Sequence, residues 1–248
     1  MATIGVYDSG AGGLTVLREI RKLLPSEHYV YFADTAHCPY GGKTPEYIRS
    51  RAAYVAGLMT GKGADTVVVA CNTATSAAIA MLRAEFPIPF IGMEPAVKPA
   101  ALGTRTGVIG VLATEGTLKG SKYLDLKSAY AGGVRVEESV GKGFVELVER
   151  GVLEGPEVEE AVSASIRPLL DEGADVIVLG CTHYPFLMDT IRKMAGPGVS
   201  IIDPAPAVAR HLVDVLEQHG VPTGAGKYEI ELLSSGDGTI LESLYSRI

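Results

Sequence analysis

The sequence lacks several features that mark common classes of protein. It has no tryptophan, and aromatic residues make up only 6% of its 248 residues. Its net charge of -7 argues against a nucleic-acid-binding protein, which would normally carry a basic surface. No apolar run approaches the ~20 residues that span a bilayer, and no N-terminal signal peptide is visible. We therefore expect a cytoplasmic protein that binds neither nucleic acid nor membrane.

Motifs for common cofactors are also missing. The glycine-rich turn Asp8–Gly13 does not fit G-x-G-x-x-G, and no G-K-[ST] is present, which excludes the usual dinucleotide and P-loop sites. The three cysteines include no C-x-x-C pair, so zinc ribbons and thioredoxin-like centres fit poorly. His37 and Cys38 are adjacent, but no second pair lies at metal-ligand spacing. The sequence predicts neither a cofactor nor a metal site.

What the chain does contain is an internal repeat. Two apolar runs each end in a cysteine, and these cysteines, Cys71 and Cys181, lie 110 positions apart. Two further pairs of segments match in the same order at nearly the same offset. The matching pairs are Ala64–Thr73 with Ala174–His183, Ile4–Ser9 with Ile109–Thr114, and Ile91–Ala96 with Ile202–Ala205. Three ordered matches predict a duplication into two similar halves.

Each half alternates short apolar runs with helical patterns, which is typical of parallel sheets flanked by helices. The tail after Pro206 adds a helix, a strand over Tyr228–Ser234 and a final helix from Thr239. We expect this tail to complete the first half. The predicted fold is therefore α/β, with two pseudo-symmetric domains built on mainly parallel sheets and an active site in the cleft between them. The predicted domains are residues 1–97 plus 207–248, and residues 98–206.

Polar residues directly follow three of the apolar runs, where parallel sheets bind their ligands. They are Asp8-Ser9, Cys71-Asn72-Thr73 and Cys181-Thr182-His183. If the halves face each other across a pseudo-twofold axis, the two thiols lie on opposite walls of one cleft. The alternative is that both cysteines are small buried residues tolerated at strand ends.

Two acid–base groups on opposite faces of one carbon can remove a proton from one side and return one to the other. A thiol suits this task because its ordinary pKa is about 8.5, so both protonation states are accessible near neutral pH. The pattern therefore predicts racemisation or epimerisation without a cofactor. His183 shares the turn of Cys181 and is a candidate proton partner. Asp8 and Ser9 could instead serve only as helix caps. The other histidines are expected to be structural or exposed: His28, His37, His211 and His219.

Four motifs together resemble those of the glutamate racemases, in the cofactor-independent aspartate/glutamate racemase superfamily. They are Asp8–Leu14 (DSGAGGL), Asp34–Gly41 (DTAHCPYG), Ala70–Thr75 (ACNTAT) and Leu179–Pro185 (LGCTHYP). The resemblance covers most of the chain and implies two pseudo-symmetric α/β domains around a buried cleft. It also implies a homodimer, and a role in supplying D-glutamate for peptidoglycan.

The resemblance further implies residue roles. Cys71 would deprotonate D-glutamate with support from Asp8, and Cys181 would deprotonate L-glutamate with support from His183. Glu149 aligns with a carboxylate near the second cysteine, although Gly141-Lys142-Gly143 stands where many relatives have Cys-Pro. Substrate contacts would come from Asp8, Ser9, Tyr40, Gly41, Asn72, Thr73, Thr182 and His183. Cys38 is expected only to lie beside the loop that carries Tyr40 and Gly41, which we call the substrate loop.

The choice of substrate depends on Thr182-His183. Aspartate racemases usually resemble Cys-Thr-Glu at this place and lack the full Asp-Ser-Gly-x-Gly-Gly start, so glutamate is favoured. The first alternative is a relative that acts on aspartate, a hydantoin or maleate. The second, from another functional class, is a regulatory binding protein that keeps the cleft without turnover.

Overall fold

In this computed structural model, which describes residues 1–130, 132–224 and 226–248, the chain forms two parallel sheets flanked by helices. The strands are β1 Thr3–Asp8, β2 His28–Ala33, β3 Thr66–Val69, β4 Phe90–Gly92, β5 Val108–Ala113, β6 Arg135–Val140, β7 Val176–Gly180, β8 Ser200–Ile202 and β9 Glu229–Ser234. The helices are α1 Leu14–Leu23, α2 Pro45–Gly61, α3 Asn72–Glu85, α4 Val97–Gly103, α5 Glu115–Leu118, α6 Ser121–Tyr130, α7 Phe144–Glu149, α8 Pro156–Asp171, α9 Met188–Ala195, α10 Ala205–Gln218 and α11 Thr239–Tyr245. Short 3₁₀ turns cover Thr35–His37, Tyr40–Gly42 and Tyr184–Leu187.

The two sheets repeat one strand order. The first runs β4-β3-β1-β2-β9, and the second, read in the same sense, runs β8-β7-β5-β6. Every strand pairing between described residues is parallel. Because β5 to β8 occupy the places of β1 to β4, the internal repeat in the sequence corresponds to a repeated α/β unit. The predicted fold class is confirmed.

The central strands owe their sequence pattern to burial on both faces. β3 and β7 are buried along their whole length, and helices cover each sheet, so both strands read as continuous apolar runs. Helix α3 begins directly after Cys71, whose Sγ accepts a hydrogen bond from the Ala74 N–H at 3.4 Å. Cys181 directly follows β7. Each thiol therefore lies at the carboxyl end of a central strand.

The tail of the chain adds to the first sheet. Strand β9 pairs with β2 in parallel, from His28 opposite Glu229 to Ala33 opposite Ser234. The predicted domain boundaries, after residues 97 and 206, fall in the first turns of α4 and α10. The division into two domains at those positions stays a prediction.

Two further features of the helices complete the fold. Pro168 lies inside α8, which continues to Asp171. In the part of the chain that the structure describes, no helix combines the length and the apolar character needed to cross a membrane.

Candidate active site

Both buried cysteines line one small cavity between the two sheets. Cys71 is 6% exposed and Cys181 is 8% exposed, and the cavity between them holds about 10 Å³. Its lining comes from both halves: Ser9, Pro39, Tyr40, Gly41, Cys71, Asn72, Thr73, Thr114, Thr117, Val145, Gly180, Cys181, Thr182 and His183. A volume this small is about that of one water molecule, so any larger ligand needs the walls to part. We call this cavity the cleft.

The structure brings the predicted site residues together, in two layers. Nine of them line the cleft directly: Ser9, Tyr40, Gly41, Cys71, Asn72, Thr73, Cys181, Thr182 and His183. Asp8 and Glu149 lie behind the lining and reach it through other side chains. The hydroxyl of Thr182 donates to Asp8 Oδ2 at 2.9 Å, and His183 Nε2 lies 2.6 Å from Glu149 Oε1.

The surroundings of Cys71 disfavour its thiolate. Burial, and next the negative charge of Asp8, raise the pKa of Cys71 to about 12, although the Ala74 N–H and the Ser9 hydroxyl oppose the shift. Ser9 Oγ lies 3.6 Å from Cys71 Sγ. Asp8 itself is fully buried, and burial raises its pKa to about 6. In the substrate-free site Cys71 is therefore a protonated thiol near neutral pH.

The surroundings of Cys181 contain an ion pair. His183 Nδ1 lies 3.8 Å from Cys181 Sγ, while its Nε2 faces Glu149. Burial disfavours the His183 cation, but hydrogen bonds to Cys181, Cys38 and Glu149 outweigh burial and raise its pKa well above the ordinary value. Burial also opposes ionisation of Glu149, yet the hydrogen bond and charge of His183 hold the pKa of that carboxyl low. At neutral pH these two groups are imidazolium and carboxylate.

Hydrogen bonds join the two walls behind the cleft. Asp8, at the end of β1, accepts from Thr182, which follows β7. Glu149, at the end of α7, accepts from the Ala11 N–H at 2.7 Å. The Thr15 hydroxyl donates to the carbonyl of Thr182 at 3.0 Å. Each predicted supporting carboxylate therefore contacts the opposite half of the molecule.

The side-chain amide of Asn72 has neither of its polar atoms paired. Asn72 is 4% exposed and lines the cleft, and its Oδ1 and Nδ2 have no hydrogen-bond partner among the residues that the structure describes. Buried polar groups are nearly always hydrogen-bonded, and an unpaired one costs about 1–3 kcal/mol. A polar ligand in the cleft would supply the missing partners.

Sequence reasoning missed the hydrogen-bonded side chains that support the substrate loop. Tyr7 OH lies 2.7 Å from Tyr40 OH, which in turn donates to Asp34 at 2.5 Å. Arg51 binds both carboxylate oxygens of Asp34, at 2.8 and 2.9 Å. Burial opposes ionisation of Asp34, but Arg51 and Tyr40 hold its pKa below the ordinary value. Asp34 lies within a quoted motif, whereas nothing in the sequence pairs it with Arg51.

Two threonines of the second half were also missed. Thr114 and Thr117 line the cleft, and their hydroxyls lie 3.0 and 3.2 Å from the hydroxyl of Thr73. The repeat contained a usable signal for one of them, because Thr114 follows β5 as Ser9 follows β1. Thr117 has no such counterpart in the sequence matches.

Comparisons with known proteins identify the family. A profile of the family described as Asp/Glu/Hydantoin racemase matches residues 4–212. The chain is 52% identical to a glutamate racemase of Roseiflexus sp. (strain RS-1) over 219 residues, covering 88% of this chain and 80% of the relative. It is 49% identical to a glutamate racemase of Ectopseudomonas mendocina (strain ymp) over 237 residues, covering 95% and 90%.

A solved structure shares the whole fold. The glutamate racemase of Escherichia coli, crystallised with L-glutamate and the activator UDP-MurNAc-Ala, superposes with a TM-score of 0.89 at 34% identity. The alignment covers 99% of this chain and 94% of that one. With two thiols facing one cleft and this likeness in sequence and fold, the chain belongs to the Asp/Glu/hydantoin racemase family and is an amino-acid racemase.

Proposed function

We propose that this protein interconverts L-glutamate and D-glutamate, with Cys71 and Cys181 as the two acid–base groups. The observation that carries the proposal is that both thiols line one closed cavity from opposite halves of the molecule. Relatives named glutamate racemase, among them one that is 52% identical over 88% of the chain, support glutamate as the substrate.

The proposed reaction from L-glutamate begins at Cys181. Its thiolate, beside the His183 cation, takes the proton from Cα. The Cys71 thiol then gives its own proton to the opposite face of that carbon, which forms D-glutamate and leaves Cys71 as thiolate. The raised pKa of Cys71 suits this acid role in the substrate-free enzyme. The reverse reaction exchanges the roles, and we assign the relay of the Cys71 proton to Asp8, whose charge acts on that thiol.

Local groups have to hold the substrate, because the net charge of -7 repels an anion. We assign this task to the unpaired amide of Asn72 and to the hydroxyls of Ser9, Thr73 and Thr182, which all line the cleft. The start of α3 adds backbone N–H groups and a favourable helix dipole for a carboxylate. Tyr40 and Gly41 would close the remaining side.

The proposal extends to the cellular role. D-Glutamate would supply peptidoglycan synthesis, and the enzyme would act in the cytoplasm as a homodimer without a cofactor. Light scattering on the purified protein tests the dimer, and a monomeric mass at working concentration would contradict it.

The reaction itself is tested by incubating the protein with L-glutamate in D₂O, without pyridoxal phosphate. We expect loss of optical activity together with deuterium at Cα, because each inversion in D₂O returns a solvent-derived deuteron to that carbon. Chiral chromatography and mass spectrometry measure the two effects in the same samples. L-Aspartate in parallel incubations serves as the competing substrate.

Two results would contradict the proposal in different ways. Exchange with aspartate but not glutamate would move the assignment to an aspartate-specific relative within the family. Binding of glutamate with no inversion and no deuteration would indicate a binding protein that keeps the cleft without turnover.

A further inference from the structure

Three side chains of metal-ligating type converge behind the cleft. Cys38 Sγ, one carboxylate oxygen of Glu149 and one ring nitrogen of His183 lie within 4.8 Å of one another. Cys38 lies between two 3₁₀ turns after β2, Glu149 ends α7, and His183 follows β7. His37, the sequence neighbour of Cys38, is directed elsewhere and hydrogen-bonds Tyr47. The tertiary structure thus assembles a set of ligands that sequence spacing does not predict.

The chemistry of this set suits zinc. A thiolate, an imidazole and a carboxylate are the three side-chain types that Zn²⁺ binds, at about 2.3 Å for sulfur and about 2.0–2.2 Å for nitrogen and oxygen. Tetrahedral geometry then places the ligand atoms roughly 3.3 to 3.6 Å apart. The observed limit of 4.8 Å, and the 2.6 Å between His183 Nε2 and Glu149 Oε1, lie on either side of that range. Modest side-chain movements would bring all three onto one ion.

An open pocket leads from the surface to these ligands. It has a volume of about 540 Å³, and Cys38 and Glu149 line it, whereas His183 lines the cleft. The three ligands therefore lie between this outer pocket and the cleft. Glu146 and Asp237 also line the outer pocket and favour a cation there, while the charge of Arg150 in the same lining is paired with Glu157. A hydrated ion can approach from this side while the cleft stays closed.

We propose that Cys38, Glu149 and His183 bind one Zn²⁺ ion, with water from the outer pocket as the fourth ligand, and that the bound ion inhibits the enzyme. On binding, the Cys38 thiol and the His183–Glu149 pair release their protons to solvent. The inhibition rests on the proposed function, in which His183 supports Cys181. Zinc would occupy His183 and Glu149 and remove that support.

The binding is tested by titrating the metal-free protein with Zn²⁺ in competition with a chromophoric chelator. We expect one tight site in the wild type, and affinity at least about tenfold weaker in Cys38→Ser and Glu149→Gln, because each loses a direct ligand. His219→Ala, which removes an exposed histidine, is the matched control and should bind as the wild type does. Zinc at the concentration that inactivates the wild type should leave Cys38→Ser racemising.

The two cleft thiols are the competing site, and Cys71→Ser and Cys181→Ser distinguish it. Both variants should keep the tight zinc site. Loss of zinc in either of them, with binding retained in Cys38→Ser, would overturn the proposal and assign the ion to the cleft. So would the absence of a stoichiometric site, or equal binding in all variants. Because binding is measured without substrate, a zinc site in a protein that racemises nothing would contradict the proposed function alone.

Discussion

The two walls of the cleft have the same architecture and opposite electrostatics. Each thiol follows a central parallel strand of a sheet with the same strand order. Cys71 has a buried aspartate nearby, and its pKa is raised to about 12. Cys181 has a protonated histidine paired with a glutamate. The duplication accounts for the equivalent positions of the two sulfur atoms, and the residues around them give the two sides different electrostatics.

This difference has a chemical consequence. Two-base racemisation needs one proton donor and one proton acceptor at any moment. If the surroundings of the two thiols were identical, neither thiol would be favoured as the proton donor. The observed surroundings instead keep the proton on Cys71 before substrate binds. Under the proposed two-thiol mechanism, the substrate-free enzyme would therefore be poised for L-glutamate.

The largest expected effect comes from removing either thiol. Cys71→Ser and Cys181→Ser should each lower kcat/KM by about 10²- to 10⁴-fold, because a hydroxyl is a far weaker acid than a thiol. Because the two enantiomers have equal free energy, kcat/KM has to fall equally in both directions. Circular dichroism follows both the racemisation of each enantiomer and the integrity of the fold.

Cys38→Ser is the matched control for this pair. It makes the same atomic change at the third cysteine, outside the cleft lining, and should retain racemisation. Full activity in Cys71→Ser or in Cys181→Ser would contradict the two-thiol mechanism, because racemisation would then need only one thiol.

An intermediate effect is expected for Asp8→Asn, which removes the charge near Cys71. We expect kcat/KM to fall by about 10²-fold and its dependence on pH near 6 to disappear, because Asp8 is the group with a pKa of about 6. In the wild type kcat/KM should rise as pH increases through 6. The pH profiles of the two proteins, measured side by side, test this.

The same substitution should stabilise the fold. The ordinary pKa of Asp8 is 3.8 and its folded value is about 6, so ionised Asp8 costs stability as pH rises between these values, and the cost is constant above them. Asp8→Asn should gain up to roughly 3 kcal/mol above pH 6 and little below pH 3.8 in urea unfolding. An unchanged pH profile together with unchanged stability would contradict the assigned ionisation.

The smallest effect is expected for Glu149→Gln on the other wall. Without the carboxylate the pKa of His183 falls, so the imidazolium is lost at lower pH and the alkaline limb of kcat/KM should move downward. We expect a loss of about tenfold, since Cys181 itself is kept. Proton NMR of the His183 ring and the pH–rate profile are independent measurements of the shift.

Stability gives a further measurement on this variant. Because the pKa of His183 is raised in the folded protein, its ionisation stabilises the fold fully at pH values below 6.5, the ordinary pKa of histidine. This stabilisation is lost as the pH rises through the pKa of His183 in the folded protein. The lowered pKa of Glu149 contributes above its ordinary value of 4.5. Wild type and variant should therefore differ most between pH 4.5 and 6.5. A pH-independent difference would indicate that the pair is not ionic.

Much of the fold could be predicted because it follows from local pattern. Buried strands such as β3 and β7 are short apolar runs. Cys71 lies two residues after β3 and Cys181 directly after β7, which assigns both to the ligand-binding edge of a sheet. The repeat then predicted a shared cleft, and the structure has both thiols on its lining. The motif resemblance supplied the remaining candidate residues.

Contacts between distant segments could not be predicted in this way. Arg51, within α2, binds Asp34 across two 3₁₀ turns, and Glu149 receives a hydrogen bond from Ala11 in the opposite half. Neither partner stands at a spacing that a periodic pattern specifies. The directions of the Asp34 side chain after β2 and of the Glu149 side chain at the end of α7 decide these contacts, and tertiary packing sets those directions.

By itself the sequence determined the family, the two α/β halves and the pair of cysteines at equivalent strand ends, since these follow from apolar periodicity and motif order. The tertiary structure alone decided the protonation states of the ionisable groups on each wall, because burial and the charges around a thiol depend on which segments meet there. It also decided the surroundings of Cys38. The sequence pairs this residue with His37 and predicts no metal site, whereas folding places it beside His183 and Glu149.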